Sequence, residues 1–98
     1  MELVLELRGE IDHHRAESLR QRLDKEILES GADKVIFDLS HVTFMDSSGI
    51  GVLLGRYKLF ATRKLYLFGA NETVDRLLTM AGVYSVMPKY EENLYPKE

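Results

Sequence analysis

The sequence predicts an α/β domain built on a mostly parallel sheet with alternating helices. Three observations predict it. The apolar period switches between two and about 3.6 three times along the chain. Short apolar runs rich in β-branched and aromatic residues recur at 34–39 and 64–68, as in strands covered on both faces. Parallel neighbours need crossover connections, and the helical segments between these runs supply them. A chain of 98 residues makes room for one such domain, 1–98, and no second.

Leu3, Leu5 and Leu7 alternate with Glu2, Glu6 and Arg8, the pattern of a half-exposed strand. From Asp12 to Ser30, Ala16, Leu19, Leu23 and Ile27 recur at spacings of three and four, which predicts an amphipathic helix that Gly31 can end. KVIFDL, 34–39, reads as a buried strand. From Gly49 to Ala61 a second helix places Ile50, Leu53, Leu54, Tyr57 and Ala61 on one face, with Gly51 and Gly55 one turn apart. KLYLF, 64–68, is the next strand, and Asn71 caps a helix bearing Val74, Leu77, Leu78 and Ala81. VYSVM, 83–87, predicts a last short strand stopped by Pro88, while YEENLYPKE is too poor in apolar residues to assign.

Composition narrows the function. Thirteen basic against sixteen acidic residues give a formal charge of −3 with no basic stripe, which argues against nucleic acid and anionic membrane surfaces as partners. The absence of cysteine excludes disulfides and thiolate chemistry and suits a reducing, cytoplasmic setting. Glu2, Glu6 and Arg8 interrupt the first apolar run, so it reads as neither signal peptide nor membrane span.

Sites in parallel sheets collect at the C-terminal ends of strands. GEIDHH, HVTFMDSSG and FGANET all follow predicted strands and so share one edge. The stretch FMDSSGIG, 44–51, sits there and admits several chemistries. A hydrolase elbow needs glycine two residues to either side of the serine; Ser48 has Asp46 and Ile50, and Ser47 has Met45 and Gly49. A phosphate loop needs glycine, lysine and a hydroxyl in succession, but Gly55 is followed by Arg56 and Tyr57, and the dinucleotide fingerprint fails at Leu54. His13 and His14 lack a third metal ligand at a recognisable spacing. Two readings survive: a serine that caps the following helix, or a serine that receives a phosphoryl group at the positive end of the helix dipole. Asp12 reads first as a helix N-cap.

LRGEIDHH (7–14), FMDSSGIGVLLGRYK (44–58) and VDRLLTMAGV (74–83) together closely resemble the STAS domain family, in particular its anti-sigma factor antagonists of bacterial sporulation. The resemblance covers about residues 3–87. It implies that the chain is a switch and no enzyme, with no cofactor. Ser48 would be phosphorylated by an anti-sigma factor that is also an ATP-dependent serine kinase. The unphosphorylated form would bind that factor and free its sigma factor, and a metal-dependent serine phosphatase would restore the hydroxyl. Asp46, Ser47 and Gly49 surround the phosphosite, while Asp12 and the exposed helix start of Ile50, Gly51 and Leu54 would meet the partner. It also implies that the family's first strand is absent, leaving Leu3–Leu7 as an edge prone to pairing with another chain. The alternatives are a STAS module of another stress-signalling complex, or a nucleotide- or small-anion-binding domain using the strand ends around GIG.

Overall fold

A computed structural model describes residues 1–96 and bears out the alternation. Strand β1 (Glu2–Ile11), helix α1 (His13–Ser30), strand β2 (Lys34–Met45), helix α2 (Ser47–Leu59), strand β3 (Lys64–Phe68) and helix α3 (Glu72–Met80) follow one another, and a 3-10 turn spans Val83–Ser85. The sheet order is β1-β2-β3 with both pairs parallel. Lys97 and Glu98, the end of the unassigned segment, lie outside the described residues.

Register decides which side chains meet the helices. Leu5, Phe37 and Leu67 stand opposite one another across the three strands, and with Leu7, Val35, Leu39 and Leu65 they share one core with apolar residues of all three helices. α1 buries the predicted Ala16, Leu19, Leu23 and Ile27 and ends at Gly31, whose φ of 63° is the left-handed cap conformation. Removing a leucine or isoleucine side chain from water in this way is worth roughly 1.5–3 kcal/mol.

The opposite face of the sheet carries Ile36, fully buried yet outside that core. Residues 88–96 cover it without regular structure. The Leu67 N–H donates to Pro88 O at 3.0 Å and the Tyr90 N–H to Leu67 O at 2.7 Å. Tyr90 meets Tyr66 edge-on with ring centroids 5.6 Å apart, and Tyr95 meets Phe68 at 6.5 Å. The Tyr95 hydroxyl donates to Asp38 Oδ2 at 2.7 Å.

Two expectations change and a third is qualified. VYSVM is not a strand: Gly82, at φ 73°, turns the chain, and the Met87 N–H donates to Val83 O at 2.9 Å, so Val83 and Met87 are buried at a helical spacing. A five-residue apolar run does not separate the two geometries by itself. α2 buries Gly49, Ile50, Val52, Leu53 and Arg56, whereas Leu54 and Tyr57 are half-exposed and Ala61 lies beyond the helix. The reason is Arg56, which lies 2.9 Å through Nε from Asp24 Oδ1 of α1. The contact is an ion pair without hydrogen-bond alignment, and among the described residues Nη1 has no hydrogen-bond partner. Finally, β1 is an edge strand, as expected, but its C-terminal half is engaged from within. Arg15 Nη1 donates to Arg8 O at 2.8 Å and Glu10 O at 2.6 Å, and Arg22 Nη2 donates to Glu6 O at 2.8 Å, so three edge carbonyls are engaged.

Asp24→Ala strips the buried guanidinium of its counter-charge and should cost about 1–3 kcal/mol in urea unfolding, discounted for the partial exposure of Asp24. The double variant Asp24→Leu with Arg56→Met should recover most of that loss. The hydrogen bond to Asp38 raises the Tyr95 phenol from its ordinary 10 to about 12. A group raised on folding contributes stability that is whole below pH 10 and lost as pH rises through about 12. Thermal melts across that window should therefore fall more steeply for the wild type than for Tyr95→Phe.

Candidate functional site

A parallel sheet brings the C-terminal ends of its strands to one edge, and here each end passes straight into a helix through a polar cap. Asp12 caps α1, Asp46 caps α2 and Asn71 caps α3. Ile11 and Met45 are partners in the sheet register, so the caps that follow them are neighbours, and the Asp46 N–H donates to Ile11 O at 3.3 Å. Asn71 Nδ2 donates to Val42 O at 3.1 Å and ties the third loop to the same edge. The three loops expected to converge do so.

The capping geometry settles what the two serines do not do. Asp46 Oδ1 accepts from the Ser48 N–H at 2.8 Å, and Asp46 O accepts from the N–H groups of Gly49 at 3.0 Å and Ile50 at 3.3 Å. The helix start is satisfied by the aspartate. Among the described residues neither Ser47 nor Ser48 uses its hydroxyl in a hydrogen bond; Ser47 is exposed and Ser48 half-buried. A serine cap, one of the two readings left open by the sequence, is therefore replaced by an aspartate cap and two idle hydroxyls. A phosphoryl group on Ser48 would meet the dipole of α2 with its first donors already engaged.

Gly49 fixes the seat of the motif. A Cβ there would collide with Met45 Cγ and lie 3.2 Å from Ile11 Cγ2, so only glycine lets α2 begin against the ends of β1 and β2. Ile50, expected on an exposed helix start, is 9% exposed and belongs to the core. Gly51 is exposed and Leu54 half-exposed, as a contact surface requires. Asp12 spends Oδ1 on the N–H groups of His14 at 3.0 Å and Arg15 at 3.2 Å.

Two features escaped the sequence. One is the Asp24–Arg56 pair. The other is a groove of about 470 Å³ beside α2, lined by Gly51, Leu54, Gly55, Tyr57, Lys58 and Val86; the paired glycines were its only visible sign. His13 and His14 stack at 3.9 Å on the surface, and among the described residues no group of three or more His, Cys, Asp or Glu side chains could hold a metal. No described helix is long and apolar enough to cross a membrane.

Comparison with known proteins gives a consistent result. A family model described as STAS domain matches residues 2–98. A protein of Paenibacillus polymyxa named anti-sigma F factor antagonist is 37% identical over 94 residues, spanning 94% of this chain and 80% of its own. The solved structure of the anti-sigma factor antagonist SpoIIAA in its unphosphorylated form aligns with a TM-score of 0.76 at 30% identity, covering 93% of this chain and 82% of that one. The Bacillus cell fate determinant SpoIIAA in the phosphorylated form aligns with a TM-score of 0.66 at 28% identity, covering 91% and 82%.

The glycines of α2 should respond to alanine with opposite signs. Gly49→Ala forces a methyl group against Met45 and Ile11 and should destabilise the fold by about 1–3 kcal/mol. Gly51→Ala meets nothing within 4 Å and should stabilise it by up to about 1 kcal/mol. Chemical denaturation of both variants beside the wild type measures the difference.

Proposed function

This chain belongs to the STAS domain family, and from that premise we propose that it is an anti-sigma factor antagonist switched by phosphorylation of Ser48. The observation that carries the proposal is the division of labour at the start of α2. Asp46 does the capping, Gly49 does the packing, and the Ser48 hydroxyl is left without a structural task. The names of similar proteins support it: a relative is called an anti-sigma F factor antagonist, and SpoIIAA has been solved in unphosphorylated and phosphorylated forms.

On this reading the unphosphorylated chain binds an anti-sigma factor that is also a serine kinase, and so frees the sigma factor that kinase held. A metal-dependent serine phosphatase resets the hydroxyl. The chain itself is the substrate of both reactions and catalyses neither. Asp12, Gly51 and Leu54 form the contact surface around Ser48, and Ile50 supports it from beneath. The exposed Gly51, one turn after Ser48, leaves room for a kinase to bring its nucleotide close.

The switch is local. A phosphoryl group adds about 1.5 to 2 negative charges. The dipole of α2 favours them by roughly 0.3–1 kcal/mol, and the carboxylate of Asp46 opposes them. The two effects oppose each other at a solvent-facing helix start, so the modified domain keeps its fold, and the added charge and bulk act on the partner docked over it.

Incubation with ATP and the anti-sigma factor of the same organism, followed by phosphate mapping, tests the assignment. Phosphate should persist in Ser47→Ala and disappear in Ser48→Ala, and Ser48→Asp should bind the partner at least tenfold more weakly. Phosphate on Ser47, or partner binding indifferent to Ser48→Asp, would overturn it.

A further inference from the structure

The groove beside α2 begins at Gly51, one turn beyond Ser48. A second depression of about 260 Å³ shares Tyr57 and Val86 with it and reaches Arg63 and Lys64. The charged residues lining the two are Lys58, Arg63 and Lys64, all basic, on a chain whose formal charge is −3. Arg63 is spent on the carbonyls of Ile27 and Ala32, at 2.9 Å each. Among the described residues, Lys58 and Lys64 have no carboxylate within 4 Å. Leu54, Tyr57 and Val86 supply an apolar wall that stays partly exposed.

The floor of the groove is open by design of the sequence. A Cβ at Gly51 or Gly55 meets nothing within 4 Å, so neither glycine is there to let another part of this chain approach. Each costs the helix roughly 1 kcal/mol relative to alanine, with no return inside the fold. Small residues one turn apart beside exposed apolar side chains suit the close approach of a second helix.

We propose that this groove receives an acidic amphipathic helix of the partner protein, with its apolar stripe on Leu54, Tyr57 and Val86 and its carboxylates on Lys58 and Lys64. The proposal rests on the reading that the Ser48 end of α2 docks a partner, and it supplies the chemistry of that partner. From Gly51 to Lys58 the trough follows α2 for roughly 10 Å at 1.5 Å per residue. About eight residues of helix match that length and present anchors at i, i+3, i+4 and i+7. Charge sets its direction. Asp12 and Asp46 stand at the serine end and the two lysines at the far end, so the acidic end of the incoming helix lies over Lys58 and Lys64.

The test uses two variants and one defined probe. Gly55→Leu puts a bulky side chain into the groove at a position where an added Cβ meets nothing within 4 Å, and Lys58→Glu reverses its rim. Each should raise the Kd for the anti-sigma factor at least tenfold, while thermal melts confirm that both variants fold. A 14-residue acidic amphipathic helical peptide of Glu, Leu and Ala should shift the amide resonances of residues 51–58 and 86 in the wild type, and its lysine counterpart should not. If both variants keep partner affinity within twofold while Ser48 is still phosphorylated, the groove proposal falls and the function stands. If Ser48 takes no phosphate yet the acidic peptide fills the groove, the phosphoswitch falls and the groove stands. Dodecanoate shifting the same amides when the peptide does not would overturn the helix in favour of an anionic amphiphile.

Discussion

The start of α2 lies so close to the ends of β1 and β2 that no side chain fits at Gly49 between Met45 and Ile11, and the arrangement of the site depends on that contact. It pins the helix axis to the sheet edge at one residue. Asp46 then stands where its carboxylate reaches the Ser48 N–H and its own N–H reaches Ile11 O. With the cap supplied by the aspartate, the neighbouring hydroxyls are held in place by the backbone and by nothing else. A group that is positioned without being used is available for chemistry by another protein.

The same seating sets the rotation of α2, and here electrostatics overrides apolar pattern. Burying Arg56 against Asp24 removes a guanidinium from water, and that desolvation lowers its pKa although Asp24 pulls it back up. Such a pair is a poor source of stability compared with two apolar residues, but breaking it is costly. It therefore acts as a lock on helix rotation. With Arg56 turned inward, Leu54 and Tyr57 turn toward solvent, and the groove is the space they border.

Legibility in the sequence followed the range of the interactions. α1 could be read to the residue because period, cap and terminating glycine lie within it and agree. The shared loop edge followed from parallel topology alone. The motif 46–49 announced a site, but Asp, Ser and Ser are all competent N-caps, and only the geometry chose among them. The buried face of α2 depended on a partner in another helix, and the cover of the second sheet face depended on Tyr95 reaching Asp38 across 57 positions. Neither leaves a periodic trace. Gly51 and Gly55 did leave one, visible as an energetic cost, and both line the groove.

Part of the edge of β1 is engaged in an unusual material. A covering strand would pair with it through main chain, but Arg15 and Arg22 engage it with side chains that reach over from α1 to the carbonyls of Glu6, Arg8 and Glu10. Guanidinium groups also have other suitors: carboxylates, phosphates and nucleotides all compete for the same planar donors. That end of the strand is therefore held by charged donors, whose hold depends on ionic surroundings more than a main-chain ladder does.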